Sequence, residues 1–289
     1  MAALPLTESG PAQPPSGTRF PASFVLGSAV LVFVGLAAAF GPLLAPFPYD
    51  QMDIMARLQP PNATHWLGTD EFGRDVLSRL LFGARLSLLM GLGATFVSLL
   101  VGVPLGLAAG YKGGRVDETI MRAIDLVISV PPILMGLLLL SLSTPNVWKT
   151  AAAVGIIYVP IMARLARAVT LEIAREEFVL AARARGERLW YILGAEILPN
   201  AWPPIIVEAA LRVTFAIMLG AALSFLGLGV QPPSSDWGLM IAEARPFIDT
   251  APWVAIAPGL VLCATVIAVN LVGDGLRELL DPRLRKGRG

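Results

Sequence analysis

Six stretches of about twenty apolar residues recur along this chain, parted by shorter polar segments rich in arginine. They fall at 24–44, 86–109, 120–142, 149–166, 204–229 and 252–272. At ~1.5 Å per helical residue, such runs match a hydrocarbon core of ~30 Å. A water-soluble fold could not cover so much apolar surface: of 289 residues, 55% are hydrophobic and 15% charged, where about 25% charged is usual. The chain therefore reads as an all-α membrane protein with six transmembrane helices. A net charge of +1 gives no support to nucleic-acid binding.

Six crossings put both ends on one side, and the arginines choose it. If the loop at 168–200 is cytoplasmic, 15 of the 22 lysines and arginines fall on that side, six on the other, and Arg212 within a span. The positive-inside rule then places both termini in the cytoplasm. No internal repeat is visible, which counts against a secondary transporter with recognisable inverted halves.

The expected divisions follow. Residues 1–23, with Pro5, Pro11, Pro14 and Pro15, read as a disordered cytoplasmic tail. Residues 24–47 form the first span, a retained anchor rather than a cleaved signal. In the extracytoplasmic segment 48–85, Thr69 is a plausible cap, and Phe72, Val76, Leu77, Leu80 and Leu81 repeat at helical spacing. Glu71, Arg74, Asp75 and Ser78 fall opposite them, predicting an amphipathic helix on the outer interface. That helix either shapes a docking mouth or simply anchors the next span. A five-helix core follows at 86–276, then a cytoplasmic tail at 277–289. Pro131 and Pro132 must break the third span, which is tolerated where protein or a wet cavity satisfies the freed carbonyls. Cys263, alone in an apolar run, reads as a small buried packing residue.

Within 168–200, the segment EEFVLAARARGERLWYILGAEILPN from Glu176 to Asn200 stands out. Phe178 to Arg185 can form one short helix, with Ala181 and Ala182 leaving a shallow face for close docking. Gly186 suits its stop. A second turn, Trp190 to Leu198, runs into Pro199, which is expected to end it.

Ala181-Ala182, Gly186 and Leu198-Pro199 at this spacing resemble the coupling loop of membrane-spanning subunits of bacterial ABC importers. The family's usual glutamate and isoleucine positions hold Leu180 and Glu196 here, with Ile197 one step on and Glu177 offering a nearby acid. HWLGTDEFGRDVLSRLLFGAR (His65 to Arg85), LSFLGLGVQPPSSDWG (Leu223 to Gly238) and GDGLRELLDPR (Gly273 to Arg283) narrow the resemblance. They are similar to the second, C-type permease subunit of the peptide and nickel importer family. That resemblance implies the type I ABC importer permease fold in the bacterial cytoplasmic membrane. It also implies a homologous permease subunit, two cytoplasmic ABC ATPase subunits and an extracytoplasmic substrate-binding protein as partners. ATP and Mg would be bound by the ATPases and no cofactor by this chain; peptides or similar small solutes would be the cargo. The coupling contacts it implies are Glu177, Ala181, Ala182, Gly186, Leu198 and Pro199.

For a translocation path the candidates are Glu208 and Arg212, one helical turn apart in the fifth span, with Asn270 in the sixth and the Pro131–Pro132 break. A charge at such depth costs about 2.5–3.5 kcal/mol on insertion scales, which confines it to a bundle interior or aqueous cavity. A self-neutralised structural bridge accounts for the pair equally well. No G-x-x-x-x-G-K-[ST] loop, G-x-S-x-G elbow or H-E-x-x-H helix occurs, so neither ATP binding nor an enzyme activity has residues to rest on. A self-sufficient channel or carrier using Glu208 and Arg212 remains the alternative.

Overall fold

The computed structural model describes residues 21–141, 144 and 146–280. The tails expected at 1–23 and 277–289 lie outside the described residues up to position 20 and from position 281 on. The helices are α1 (Ala22–Leu44), α2 (Val76–Lys112), α3 (Gly114–Ile128), α4 (Pro132–Ser141), α5 (Val147–Ile173), α6 (Glu177–Ala184), α7 (Leu189–Phe225), α8 (Trp237–Ala244) and α9 (Trp253–Leu280).

Close backbone approaches fix how these helices run. A methyl group at Gly155 would lie 2.7 Å from Ala94 O, one at Gly102 2.8 Å from Val159 O, and one at Gly110 2.8 Å from Arg167 O. Positions rise together on both helices, so α2 and α5 are parallel, pressed together along a stripe where only glycine fits. Chain continuity then requires 113–146 to return to the other end, and α3 with α4 makes that crossing. The crossing is sharply broken: α3 and α4 meet at 88° across Pro131 and Pro132. With 15 and 10 residues, neither arm alone covers ~30 Å. The expected kink is thus a right-angle corner, because Pro132 removes a donor and its ring excludes helical backbone just before it.

Three further helices alternate in direction. Gly220 faces Met90 and Gly91 faces Ile217, so α7 is antiparallel to α2. Thr214 meets Asn270, and Gly273 meets Ala210, so α9 is antiparallel to α7. Phe24 packs on Gly275 and Gly27 on Ala268, so α1 is antiparallel to α9. Six crossings result, and Ala22 and Leu280 lie at the end that carries α6, here called the lower end. The buried apolar residues gather in three clusters, Val103, Leu107, Met162 and Ile197 below, Ala94, Val154, Ile157 and Leu219 between α2, α5 and α7, and Val76, Leu80, Trp237 and Val254 above.

Three expectations need correction. No separate amphipathic helix occupies 69–81: Asp75 caps α2 through Ser78 N (2.8 Å), and the helix then runs 37 residues without interruption. Its expected wet side is buried, since Arg74, Asp75 and Ser78 neutralise or hydrogen-bond one another and their neighbours. Pro199 does not end a helix, and the fifth span does not start at 204. The chain is helical from Leu189 to Phe225, and a π-helical turn at Ile192–Ile197 lets the ladder pass over the donor missing at Pro199. Cys263 is exposed on α9, not buried.

Candidate coupling loop and buried charges

Glu176 to Asn200 folds onto the lower ends of α2, α5 and α7. Helix α6 stops through a Schellman motif: Gly186, at φ +77°, donates to Arg183 O (2.9 Å), and Glu187 N donates to Ala182 O (3.2 Å). Its inward side is Val179 and Ala182, both fully buried against Met162, Ala166, Ile192 and Leu193. Ala181 points the other way. Only one alanine of the pair is therefore free; the other seats the helix. Glu177, Phe178, Leu180 and Ala181 are exposed, and Trp190 beyond the corner is 80% exposed. Leu198 packs partly on the lower cluster and Pro199 is exposed. Arg183 ties α6 to the last turn of α2 by donating to Tyr111 Oη (2.9 Å). Glu196, one of the two departures from the resembled motif, faces Arg185 at 3.6 Å.

The intramembrane charges come together as the spacing predicts. Arg212 Nε lies 2.8 Å from Glu208 Oε1, and the guanidinium sits over Phe215 (4.7 Å) and Tyr158 (5.5 Å). Coulombic pairing and two aromatic faces offset the loss of water around it. Asn270 accepts from Thr214 Oγ1 at 3.3 Å, half a turn further along α7. Pro131 and Pro132 belong to another region: the arm they begin packs on the last turns of α7, with Gly136 against Leu223.

The upper end holds a charge cluster that the sequence did not disclose. Asp70 Oδ2 accepts from Arg74 Nε and Arg79 Nη1, both at 2.6 Å, while Glu243 Oε2 accepts from Arg79 Nη2 (2.7 Å) and Arg74 Nη2 (3.2 Å). Two buried cations and two carboxylates thus join segment 45–75, α2 and α8. Burial pushes the nearby Glu71 carboxyl above its ordinary range, with Asp70 and Glu243 adding repulsion. Trp237, wholly buried, donates Nε1–H to Leu80 O (3.2 Å), which holds α8 to the same turn of α2. Asp236 caps α8 through Gly238 N (2.8 Å) and Leu239 N (3.2 Å). Burial raises its carboxyl from the usual 3.8 to about 6. The readable signal here was Asp75-x-x-Ser78, a cap pattern placing the helix start at 76 rather than 69.

A bundle of this kind, with an ion pair among its long apolar helices and a paired-helix loop seated on one end, has the architecture of a multi-pass membrane protein. Residues 102–286 match the family described as binding-protein-dependent transport system inner membrane component, and residues 23–61 match the N-terminal transmembrane domain of oligopeptide transport permease C. The chain is 41% identical to the dipeptide transport system permease protein DppC of Alkalihalophilus pseudofirmus, covering 90% of this chain and 86% of that one. It is 37% identical to the oligopeptide transport system permease protein OppC of Bacillus subtilis, over 91% and 86%. The bundle also resembles the inward-facing MetNI methionine ABC transporter, with a TM-score of 0.59 at 18% identity over 70% of this chain and 96% of that chain. The chain belongs to the family of binding-protein-dependent transport system inner membrane components, and is a permease subunit of an ABC importer.

Proposed function

We propose that this chain works as one of two homologous permease subunits carrying peptides inward, with its lower end in the cytoplasm and two ATPase subunits gripping the α6 corner. The observation that carries this reading is the division of α6 into a buried seat, Val179 and Ala182, and a bare face, Phe178, Leu180 and Ala181, flanked by Trp190. A rigidly seated helix transmits force, and an uncovered apolar face asks for a partner. Glu177 places a negative charge at the N-terminus of α6, while Gly186 and the Leu198–Pro199 exit hold the corner's shape. ATP and Mg act in the ATPase subunits. Peptide cargo follows from the names of the dipeptide and oligopeptide permease relatives, and an extracytoplasmic binding protein delivers it. Glu208, Arg212 and Asn270 would border the path on α7 and α9; the Pro131–Pro132 corner would let α4 line its other part.

Purification in mild detergent tests the assignment: ATPase subunits are expected to remain with the wild-type chain and to be lost from Ala181→Glu together with Trp190→Asp. Labelling a cysteine at position 181 with a membrane-impermeant reagent from outside intact cells, or peptide uptake by vesicles holding this chain alone, would overturn it.

A further inference from the structure

Five residues of the α3 segment recur at spacings of three and four: Arg115, Glu118, Arg122, Asp125 and, just past the helix, Ser129. That spacing puts them on one face, and all five are exposed. On the opposite side Ile124 is buried, and Ile120, Met121 and Val127 are half-buried, where α3 packs on α2 and α5. The residues exposed elsewhere on α3, such as Val116, Thr119, Ala123 and Leu126, carry no charge. Every exposed charge of this helix therefore lies on the stripe. Within it Arg122 donates to Glu118 (2.5 Å), and Asp125 accepts from Arg164 of α5 (2.5 Å). Asp117, half-buried toward α5, pairs separately with Arg167.

The stripe climbs into the bundle. Helix α3 leaves the lower end at Gly114, and the arm beyond it reaches Leu223, near the top of α7, through Gly136, so α3 runs steeply between the two levels. At ~1.5 Å per residue Ser129 stands about 21 Å above Arg115. Arg164 sets the level of Asp125, because α5 meets Gly106 of α2 through Ala163 and Arg167. Asp125 and Ser129 thus lie beside the apolar run of α2, not beneath it. Yet the Arg164 side chain is 49% exposed and that of Asp125 60%. Charges at such depth face a bundle interior or a water-filled cavity, not acyl chains. A dry contact with another subunit is a poor alternative, since interface cores are depleted of charge.

We propose that Arg115, Glu118, Arg122, Asp125 and Ser129, with Arg164 beside them, form a wet wall along the lower half of the route and meet the two charged ends of a zwitterionic peptide. The proposal rests on the functional reading above, which supplies the peptide and puts the lower end inside. Charge alternates along the wall, plus, minus, plus, minus, at steps of about 4.5–6 Å. A dipeptide, whose two extended residues span at most ~7 Å, finds both signs within its own length at each step. Arg122 and Arg164 each already hold a carboxylate, so the ends of the peptide exchange with these pairs rather than filling an empty charge. Contacts that are several and individually weak let a cargo enter and also leave.

The test uses the complete importer in membrane vesicles, with Cys263→Ser removing the exposed native thiol. Single cysteines at 122, 125 and 129 are expected to react with a membrane-impermeant thiosulfonate applied to the lower side, and one at 126, off the stripe, at least tenfold more slowly. The pair of Arg122 and Glu118 is solvated and adds little stability, so Arg122→Glu should leave the melting temperature within about two degrees. In proteoliposomes that variant should lower the maximal rate of dipeptide uptake fivefold or more, with the half-saturating peptide concentration unchanged within twofold, and Arg122→Lys should keep at least half the wild-type rate. Silence at 122 and 125, reaction at 126 as fast as at 125, or Arg122→Glu uptake within twofold of wild type would each overturn the wall. Reaction from the upper side alone, or a wild-type importer that carries no peptide, would instead defeat the functional reading.

Discussion

The Arg183 guanidinium stacks 4.3 Å above the Tyr111 ring while its Nε–H donates to the Tyr111 hydroxyl at 2.9 Å. One side chain thus fastens α6 to the lower end of α2 by two different attractions. A stacked cation is worth about 0.5–1 kcal/mol at an exposed site, and a hydrogen bond adds about 1 kcal/mol.

Arg183→Ala should therefore loosen the corner without unfolding the bundle. Peptide taken up per ATP hydrolysed is expected to fall several-fold in proteoliposomes of the full importer, with the melting temperature shifted by only a few degrees. Tyr111→Phe, which keeps the ring but not the hydroxyl, should give roughly half that loss.

Substitution at the α2–α5 seam should act on stability instead. A side chain at Gly106 would collide with Ala163 O and with Ala166 Cβ at 2.6 Å, forcing the helices apart. Gly106→Leu should cost about 1–3 kcal/mol or more, read as a lowered melting temperature in detergent. Gly35→Ala on α1, where a methyl meets nothing within 4 Å, should be neutral or raise stability by up to about 1 kcal/mol.

At Arg212, truncation leaves Glu208 without its partner inside the bundle. Arg212→Ala should depress uptake tenfold or more while the subunits still copurify, and Arg212→Lys should restore part of it. Normal uptake by an assembled Arg212→Ala complex would remove the pair from the path and leave it a structural bridge.

Asp236 predicts a pH dependence. Its folded value, about 6, lies above the usual 3.8, so the folded chain holds this proton more tightly than the unfolded chain does. Stability from this group is present below about pH 4 and is lost as pH rises toward 6, in total roughly 3 kcal/mol. Asp236→Asn keeps an oxygen for Gly238 N and Leu239 N. It should flatten the melting curve between pH 4 and 6 and raise the melting temperature at pH 7.5.

Much of this architecture was legible because hydropathy reports burial in lipid directly. The crossings follow from the apolar runs, the stop at Gly186 from the backbone freedom of glycine, and the Glu208–Arg212 pair from its one-turn spacing along a single helix. The rest depended on distant partners. Nothing local to Arg74 or Arg79 reveals Glu243, more than 160 positions away, so a periodic reading put Arg74 on the wet side and gave Arg79 no place in the cluster. Ala181 and Ala182 look alike in the chain, and only packing against Met162 and Ile192 separates the buried one from the bare one. Pro199 misled because proline forbids one hydrogen bond, whereas the π turn before it skips that bond altogether.

Helix α2 has 37 residues and is about 55 Å long, well beyond the ~30 Å of acyl chains it traverses. Its upper end is moored by charges that cannot sink into oil, so the surplus length emerges on the opposite side, where α6 hangs from Tyr111. Longer lipid tails would draw that junction toward the headgroups and shorter tails would leave it standing proud. Bilayer thickness is thereby expected to set how far the corner stands from the membrane surface.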